Sequence, residues 1–108
     1  MSSSVKILEL SGILDGIRGN ELRREVSDAL ANGTEILLID MKGVNFIDSS
    51  GLGALVSAMQ MTRNANAKLF VCSISAQVRM LFELTKMDRI FQTFADRDEF
   101  NSQILATQ

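Results

Sequence analysis

A run of four aliphatic residues, Ile36-Leu37-Leu38-Ile39, constrains the fold of this chain more than any other segment. Half-exposed strands alternate apolar and polar residues, whereas a continuous apolar run is typical of a strand covered on both faces, as in a parallel sheet. Two parallel strands must be joined by a crossover, which is usually a helix. A helix is predicted just before this run, because Leu22, Val26, Ala29 and Leu30 recur at helical spacing. The segment therefore predicts an α/β fold.

Strand-like and helix-like segments alternate along the whole chain. Strands are predicted at Val5–Leu10 with a weak continuation to Leu14, at Ile36–Ile39, at Lys68–Cys72 and at Ile90–Phe94. Helices are expected after a cap at Asn20, from Leu52 toward Ala65, and after caps at Ser75 and Asp96, with a turn around Lys42–Gly43. The order β-α-β-α-β-α-β-α predicts one domain over residues 1–108. Its sheet is expected to be mostly parallel or mixed, with four to five strands and about four α-helices.

The composition argues against several kinds of functional site. The chain has no His and a single Cys, Cys72, so it can form no Ser-His-Asp triad, no Cys-His pair and no zinc site of His and Cys ligands. A net charge of −2, with dispersed basic residues, argues against direct nucleic-acid binding. No stretch approaches the ~18 apolar residues that membrane insertion requires. These features predict a cytoplasmic protein that is not an enzyme and uses no metal or cofactor.

The segment that carries the most chemical information is Asp48-Ser49-Ser50-Gly51-Leu52-Gly53, between an extended segment and a helix. One interpretation is structural, because Asp and Ser cap helix N-termini and glycine permits close approach. Each enzymatic interpretation lacks a residue. A phosphate-binding loop needs a Lys, a dinucleotide fingerprint needs Gly or Ala in place of Val56, and a nucleophile elbow needs Gly in place of Ile47. A hydroxyl that another enzyme modifies is the interpretation that remains beside helix capping.

Three blocks, in order, resemble the STAS domains, and in particular the bacterial anti-sigma factor antagonists. The blocks are Leu10–Asp15, then Ile36–Met41 followed by Phe46–Gly53, and finally Leu69–Cys72 with Val78–Leu84. The middle block is similar to the signature strand of the family and to its Asp-Ser-Ser/Thr-Gly-Leu-Gly turn. The resemblance covers nearly the whole chain and implies a single STAS-like domain.

The resemblance also implies a function and a set of site residues. In the family the Ser directly after the Asp is phosphorylated, which places the modification on Ser49, with Ser50 as the second candidate. The implied partner is an anti-sigma factor that is also a serine kinase with an ATP-binding fold, and a metal-dependent serine phosphatase reverses the modification. The unphosphorylated form would capture the anti-sigma factor and so release a sigma factor. The residues expected to contact the partner are Asp15, Asp48, Ser49, Ser50, Gly51 and Leu52.

Two other functions stay open on the sequence. One is a STAS docking subunit of a transporter, of a lipid-trafficking complex or of a multiprotein stress sensor. The more distant one is a small nucleotide-handling α/β enzyme. Two features depart from the family pattern. Ile13 stands where many members carry a polar or acidic residue, and residues 1–4 leave little room for the additional first strand that members often have.

Overall fold

The aliphatic run from Ile36 to Ile39 lies in an interior strand of a sheet, as its composition predicts. A computed structural model describes residues 4–107. The strands are β1 (Val5–Leu14), β2 (Ile36–Ile47), β3 (Lys68–Cys72) and β4 (Gln92–Phe94). The helices are α1 (Gly16–Ala31), α2 (Ser49–Asn64), α3 (Ala76–Leu84) and α4 (Arg97–Gln103), with 3₁₀ turns at Met87–Arg89 and Leu105–Thr107. The predicted order β-α-β-α-β-α-β-α is confirmed.

Within residues 4–107 the sheet has four strands in the order β1-β2-β3-β4, and every neighbouring pair is parallel. Of the predicted alternatives, the structure therefore shows the four-stranded and fully parallel one. The sequence was expected to leave little room for an additional strand before β1. Part of the segment concerned, residues 1–3, lies outside the described residues. Because consecutive strands are parallel neighbours, the segments that follow β1 and β2 lie side by side at one edge of the sheet.

The sheet separates two apolar cores, and β2 contributes alternate residues to both. Leu37 and Ile39 belong to the core formed with α1, α2 and α3, whereas Ile36 and Leu38 belong to the core formed with α4. The first core also contains Leu22, Val26, Leu55, Val78 and Phe82, and the second contains Phe70, Phe94 and Phe100. Burial on both faces is the physical reason for the continuous apolar run.

The predicted start of the first helix is wrong. Helix α1 begins at Gly16, because Asp15 is its N-cap and the Asp15 carboxylate accepts a hydrogen bond from the Arg18 amide at 3.0 Å. Asn20 lies inside the helix, where its side chain accepts a hydrogen bond from Arg23. Two potential caps stand five residues apart in this segment, and the one that directly follows the strand is used.

The expected turn around Lys42–Gly43 is also wrong, because this segment is a bulged part of β2. Glu9 pairs with Asp40 and Leu14 pairs with Ile47, so five steps along β1 lie opposite seven steps along β2. The two additional residues are accommodated by register shifts in the pairing of the two strands. Bulges of this kind bend a strand and change which side chains face the core. Glycine in a strand can mark such a bulge as well as a turn, and the sequence does not distinguish them.

Helix α4 is attached to the sheet by an ion pair at its first residue. The Arg97 guanidinium donates to the Asp40 carboxylate at 2.7 Å and also to Glu9, which links α4 to β2 and β1. These two hydrogen bonds raise the pKa of Arg97. The predicted capping pair is present, because the Asp96 side chain accepts from the Glu99 amide at 2.8 Å. No helix within residues 4–107 has the length and apolar character that crossing a bilayer requires.

Candidate functional site

Strands β1 and β2 end side by side, and a helix follows each of them directly. Leu14 pairs with Ile47, and the next residues, Asp15 and Asp48, are the N-caps of α1 and α2. The Asp48 Oδ1 accepts a hydrogen bond from the Gly51 amide at 2.8 Å. The N-terminus of a helix carries a partial positive charge of about half an elementary charge. Two such ends therefore lie at this edge of the sheet, each with one carboxylate.

Residues Asp48–Gly51, which we call the acceptor turn, are held against the end of β1. The Asp48 amide donates to the Leu14 carbonyl at 3.2 Å. A Cβ atom on Gly51 would lie 2.0 Å from the same carbonyl oxygen, so only glycine allows the turn to approach this closely. Gly19 has a similar role between the helices, because its Cβ would lie 2.8 Å from that of Ala54. Backbone contacts thus position the first turn of α2.

The two serines of the acceptor turn are exposed but have different surroundings. Ser49 is the first residue of α2, and within the described part of the chain neither its hydroxyl nor that of Ser50 has a hydrogen-bond partner. The Ser50 Oγ lies 3.9 Å from the place that a Cβ on Gly16 would occupy, so it sits beside the first turn of α1.

The structure brings all six residues predicted to contact a partner into one place, with different degrees of exposure. Two are exposed, three are half-buried and one is buried: respectively Ser49 and Ser50; Asp15, Asp48 and Leu52; and Gly51. Leu52 packs against the larger core. Gly51 is covered by the end of β1, so its role in this structure is to permit the packing of the turn.

Among residues 4–107 the structure offers few of the reactive groups that active sites commonly use. The chain contains no His to act as a base. Cys72 is fully buried at the end of β3, and this burial raises the pKa of its thiol, which disfavours the nucleophilic thiolate. Among residues 4–107, no group of Asp, Glu or Cys is arranged to hold a metal ion. Two exposed serine hydroxyls, those of Ser49 and Ser50, lie at this edge.

Apolar side chains near the acceptor turn are exposed, and only some of them stand out in the sequence. Ile13, which departs from the family pattern, pairs across the strands with Phe46, and both side chains are more than half exposed. Ile17 in the first turn of α1 is also exposed. The register shifts of β2 place Phe46 at this position. For this reason no spacing rule applied to the sequence identifies it.

Replacing Asp48 by Ala is expected to lower the free energy of unfolding by about 1 kcal/mol, because the Gly51 amide loses its capping partner. Asp48→Asn should retain most of this stability, since Asn is an equally good N-cap. Urea denaturation of both variants measures the difference. Equal losses in the two variants would show that the carboxylate charge, and not the capping hydrogen bond, is what stabilises the turn.

Comparison with known proteins identifies the family. A family model described as the STAS domain matches residues 2–100. The chain belongs to the STAS domain family. Its sequence relatives include the anti-sigma F factor antagonist of Paenibacillus polymyxa, which is 25% identical over 91 residues, or 83% of this chain and 78% of the relative.

Solved structures show the same STAS fold. SpoIIAA, described as an anti-sigma factor antagonist, in its unphosphorylated form has a TM-score of 0.73 and 19% identity, with 96% of this chain and 92% of that chain covered. A sulfate transporter family protein from Wolinella succinogenes has a TM-score of 0.83 and 16% identity, over 96% of this chain and 88% of that chain. At these identities the structural likeness shows the fold alone. The predicted α/β STAS fold is confirmed.

Proposed function

We propose that this STAS domain is an anti-sigma factor antagonist whose binding is switched by phosphorylation of Ser49. A sequence relative is named as an anti-sigma factor antagonist. The observation that carries the proposal is the Ser49 hydroxyl, which is exposed and without a hydrogen-bond partner among residues 4–107, at the N-terminus of α2. An active site can reach this hydroxyl without breaking any contact of the fold.

The proposed partner is an anti-sigma factor that is also a serine kinase with an ATP-binding fold. The unphosphorylated domain captures this partner and so releases a sigma factor, in the cytoplasm, and a metal-dependent serine phosphatase removes the phosphate. The chain acts as a substrate in this cycle and not as an enzyme. The chain has no His to take up the hydroxyl proton, and in this proposal the kinase supplies the base.

The switch follows from the charge that the phosphate adds. Phosphoserine carries about −1.5 to −2 charges at pH 7. In the free domain the N-terminus of α2 stabilises this charge, so the fold needs little change. In a complex that buries the acceptor turn, the phosphate loses its water beside the Asp48 carboxylate. A loss of about 1–3 kcal/mol in binding, or ~5–150-fold in affinity, is sufficient for partners to exchange.

Phosphorylation of Ser49 is tested by intact mass. Incubation with ATP and the anti-sigma factor kinase of the same organism should add the mass of one phosphate to the wild-type chain. Ser49→Ala should remain unmodified, and Ser50→Ala, the matched control in the same turn, should still accept one phosphate. Neither hydroxyl has a hydrogen-bond partner within residues 4–107, so both variants should fold normally. Modification of Ser49→Ala at the wild-type rate would refute the assignment.

The alternative of a docking subunit in a transporter complex has less support. The likeness to the sulfate transporter family protein, at 16% identity, shows the fold alone, whereas one of the sequence relatives is a named antagonist. Pull-down from the native cell separates the two functions. An ATP-binding kinase as the retained protein supports the proposal, and a membrane transporter as the retained protein supports the alternative.

A further inference from the structure

Several of the exposed apolar side chains lie in one groove beside the acceptor turn. Phe46 at the end of β2 is 58% exposed, and Met80 and Leu84, one turn apart on α3, are 62% and 75% exposed. Together with Asn45 and Leu81 they line a groove of about 370 Å³, which we call the α3 groove. None of the residues that line it is charged. Apolar surface gathered in this way, instead of scattered singly, is typical of an interaction site.

The groove exists because β2 is longer than its neighbour. Strand β3 pairs with β2 only as far as Asp40, so within residues 4–107 no strand lies beside residues 41–47 on that side. Helix α3 partly fills the gap, where Val78 and Phe82 enter the core. The outward residues of the helix are left without a covering element in the described structure.

We propose that the α3 groove is part of the docking surface for the same kinase that phosphorylates Ser49, and that it receives an apolar side chain of that kinase. This inference rests on the proposed function and names the chemistry of its partner. The kinase then makes two contacts with this domain. One is the reactive contact at Ser49, which the added phosphate disrupts, and the other is an apolar contact at the groove.

The size of protein interfaces favours this occupant. A specific interface buries about 800 Å² per partner, which corresponds to a disc with a radius of about 16 Å. Phe46 precedes Ser49 by three residues, so their Cα atoms are at most about 11 Å apart. A kinase centred on Ser49 therefore covers Phe46 and reaches the groove. A second copy of the chain seated in the groove would lie over the same area and would hinder access to Ser49.

The test compares Met80→Ala/Leu84→Ala with wild type, using the recombinant anti-sigma factor kinase of the same organism. Both side chains are exposed and Ala favours helix, so the double variant should melt within a few degrees of wild type. The KM for the protein substrate should rise about 10-fold or more, with kcat at saturation within about twofold, because the truncated groups bind but do not react. The dissociation constant with a non-hydrolysable ATP analogue should rise in parallel.

The matched control is Ile7→Ala, an exposed aliphatic residue in the part of β1 remote from Ser49, for which KM should not change. An unchanged KM in the double variant, with normal phosphorylation of Ser49, would overturn the proposal that the groove binds the kinase. It would leave the proposed function intact. Binding without phosphorylation of Ser49 would overturn the proposed function, and with it the groove as a docking surface for the Ser49 kinase. Absence of both binding and phosphorylation in the wild type would overturn both. A dimer that dissociates in the double variant, at constant KM, would assign the groove to a second copy.

Discussion

Gly51→Ala is expected to lower the free energy of unfolding by about 3 kcal/mol or more. The new Cβ would lie 2.0 Å from the Leu14 carbonyl oxygen and 2.8 Å from its carbonyl carbon, both of which are backbone atoms. A flexible side chain can rotate away from such a clash, but the end of β1 cannot move without breaking its pairing with β2. Overpacking usually costs about 1–3 kcal/mol, and a clash with backbone belongs at the upper end or beyond.

Gly53→Ala is the matched control for this prediction. Gly53 is two residues further along α2, and the nearest heavy atom to its added Cβ, a nitrogen of Arg23, is 3.9 Å away. In an open helix position Ala is more stable than Gly by about 0.5–1 kcal/mol. Urea denaturation should therefore shift in opposite directions for the two variants. Similar stability of Gly51→Ala and wild type would show that α2 does not pack against β1 as described.

Phe100→Ala is expected to lower the free energy of unfolding by about 3–5 kcal/mol. The Phe100 ring is fully buried, and its centroid lies 5.6 Å from that of Phe70 and 5.7 Å from that of Phe94. These three rings form the centre of the smaller core. Phe100 is the buried residue that α4 contributes to it. Truncation leaves a cavity in this core, because neither the sheet nor the short helix can collapse to fill it.

Phe46→Ala serves as the control for ring truncation, since the chain offers the same residue type in an exposed position. Phe46 is more than half exposed, so its loss should cost less than about 1 kcal/mol. Both free energies are obtained from denaturant unfolding followed by circular dichroism. Equal costs for the two variants would mean that α4 does not bury Phe100 in the native state.

Local pattern was sufficient to predict the elements of this fold. The aliphatic run at Ile36–Ile39 and the helical spacing around Leu22 and Val26 each depend on residues that are neighbours in the chain. Where two interpretations were locally equivalent, the sequence did not decide between them. Asp15 and Asn20 are both suitable helix caps, and glycine at Lys42–Gly43 suits a turn and a bulge alike. The pairing of β1 with β2 resolved both cases, because Leu14 pairs with Ile47 and the two strands end together.

The candidate site, too, was predicted from the sequence only in part. The residues of the acceptor turn were found from the sequence, because the motif is contiguous and its capping chemistry is local. The position of Asp15 beside it was implied by the family resemblance, and the pairing of Leu14 with Ile47 accounts for it physically. The α3 groove had no counterpart in the sequence analysis, because it depends on how far β2 extends past β3.

The sequence by itself determined the α/β order, the two-sided burial of β2 and the presence of a serine beside a helix-capping aspartate. These properties follow from spacing and residue chemistry over a few turns of chain. The tertiary structure decided that Gly51 must be glycine, which serine lies beside α1 and which apolar side chains remain exposed. Each of these depends on distances between segments far apart in the chain, such as the 2.0 Å that separates an added Gly51 Cβ from the Leu14 carbonyl. Such distances arise only when the strands have paired and the helices have packed.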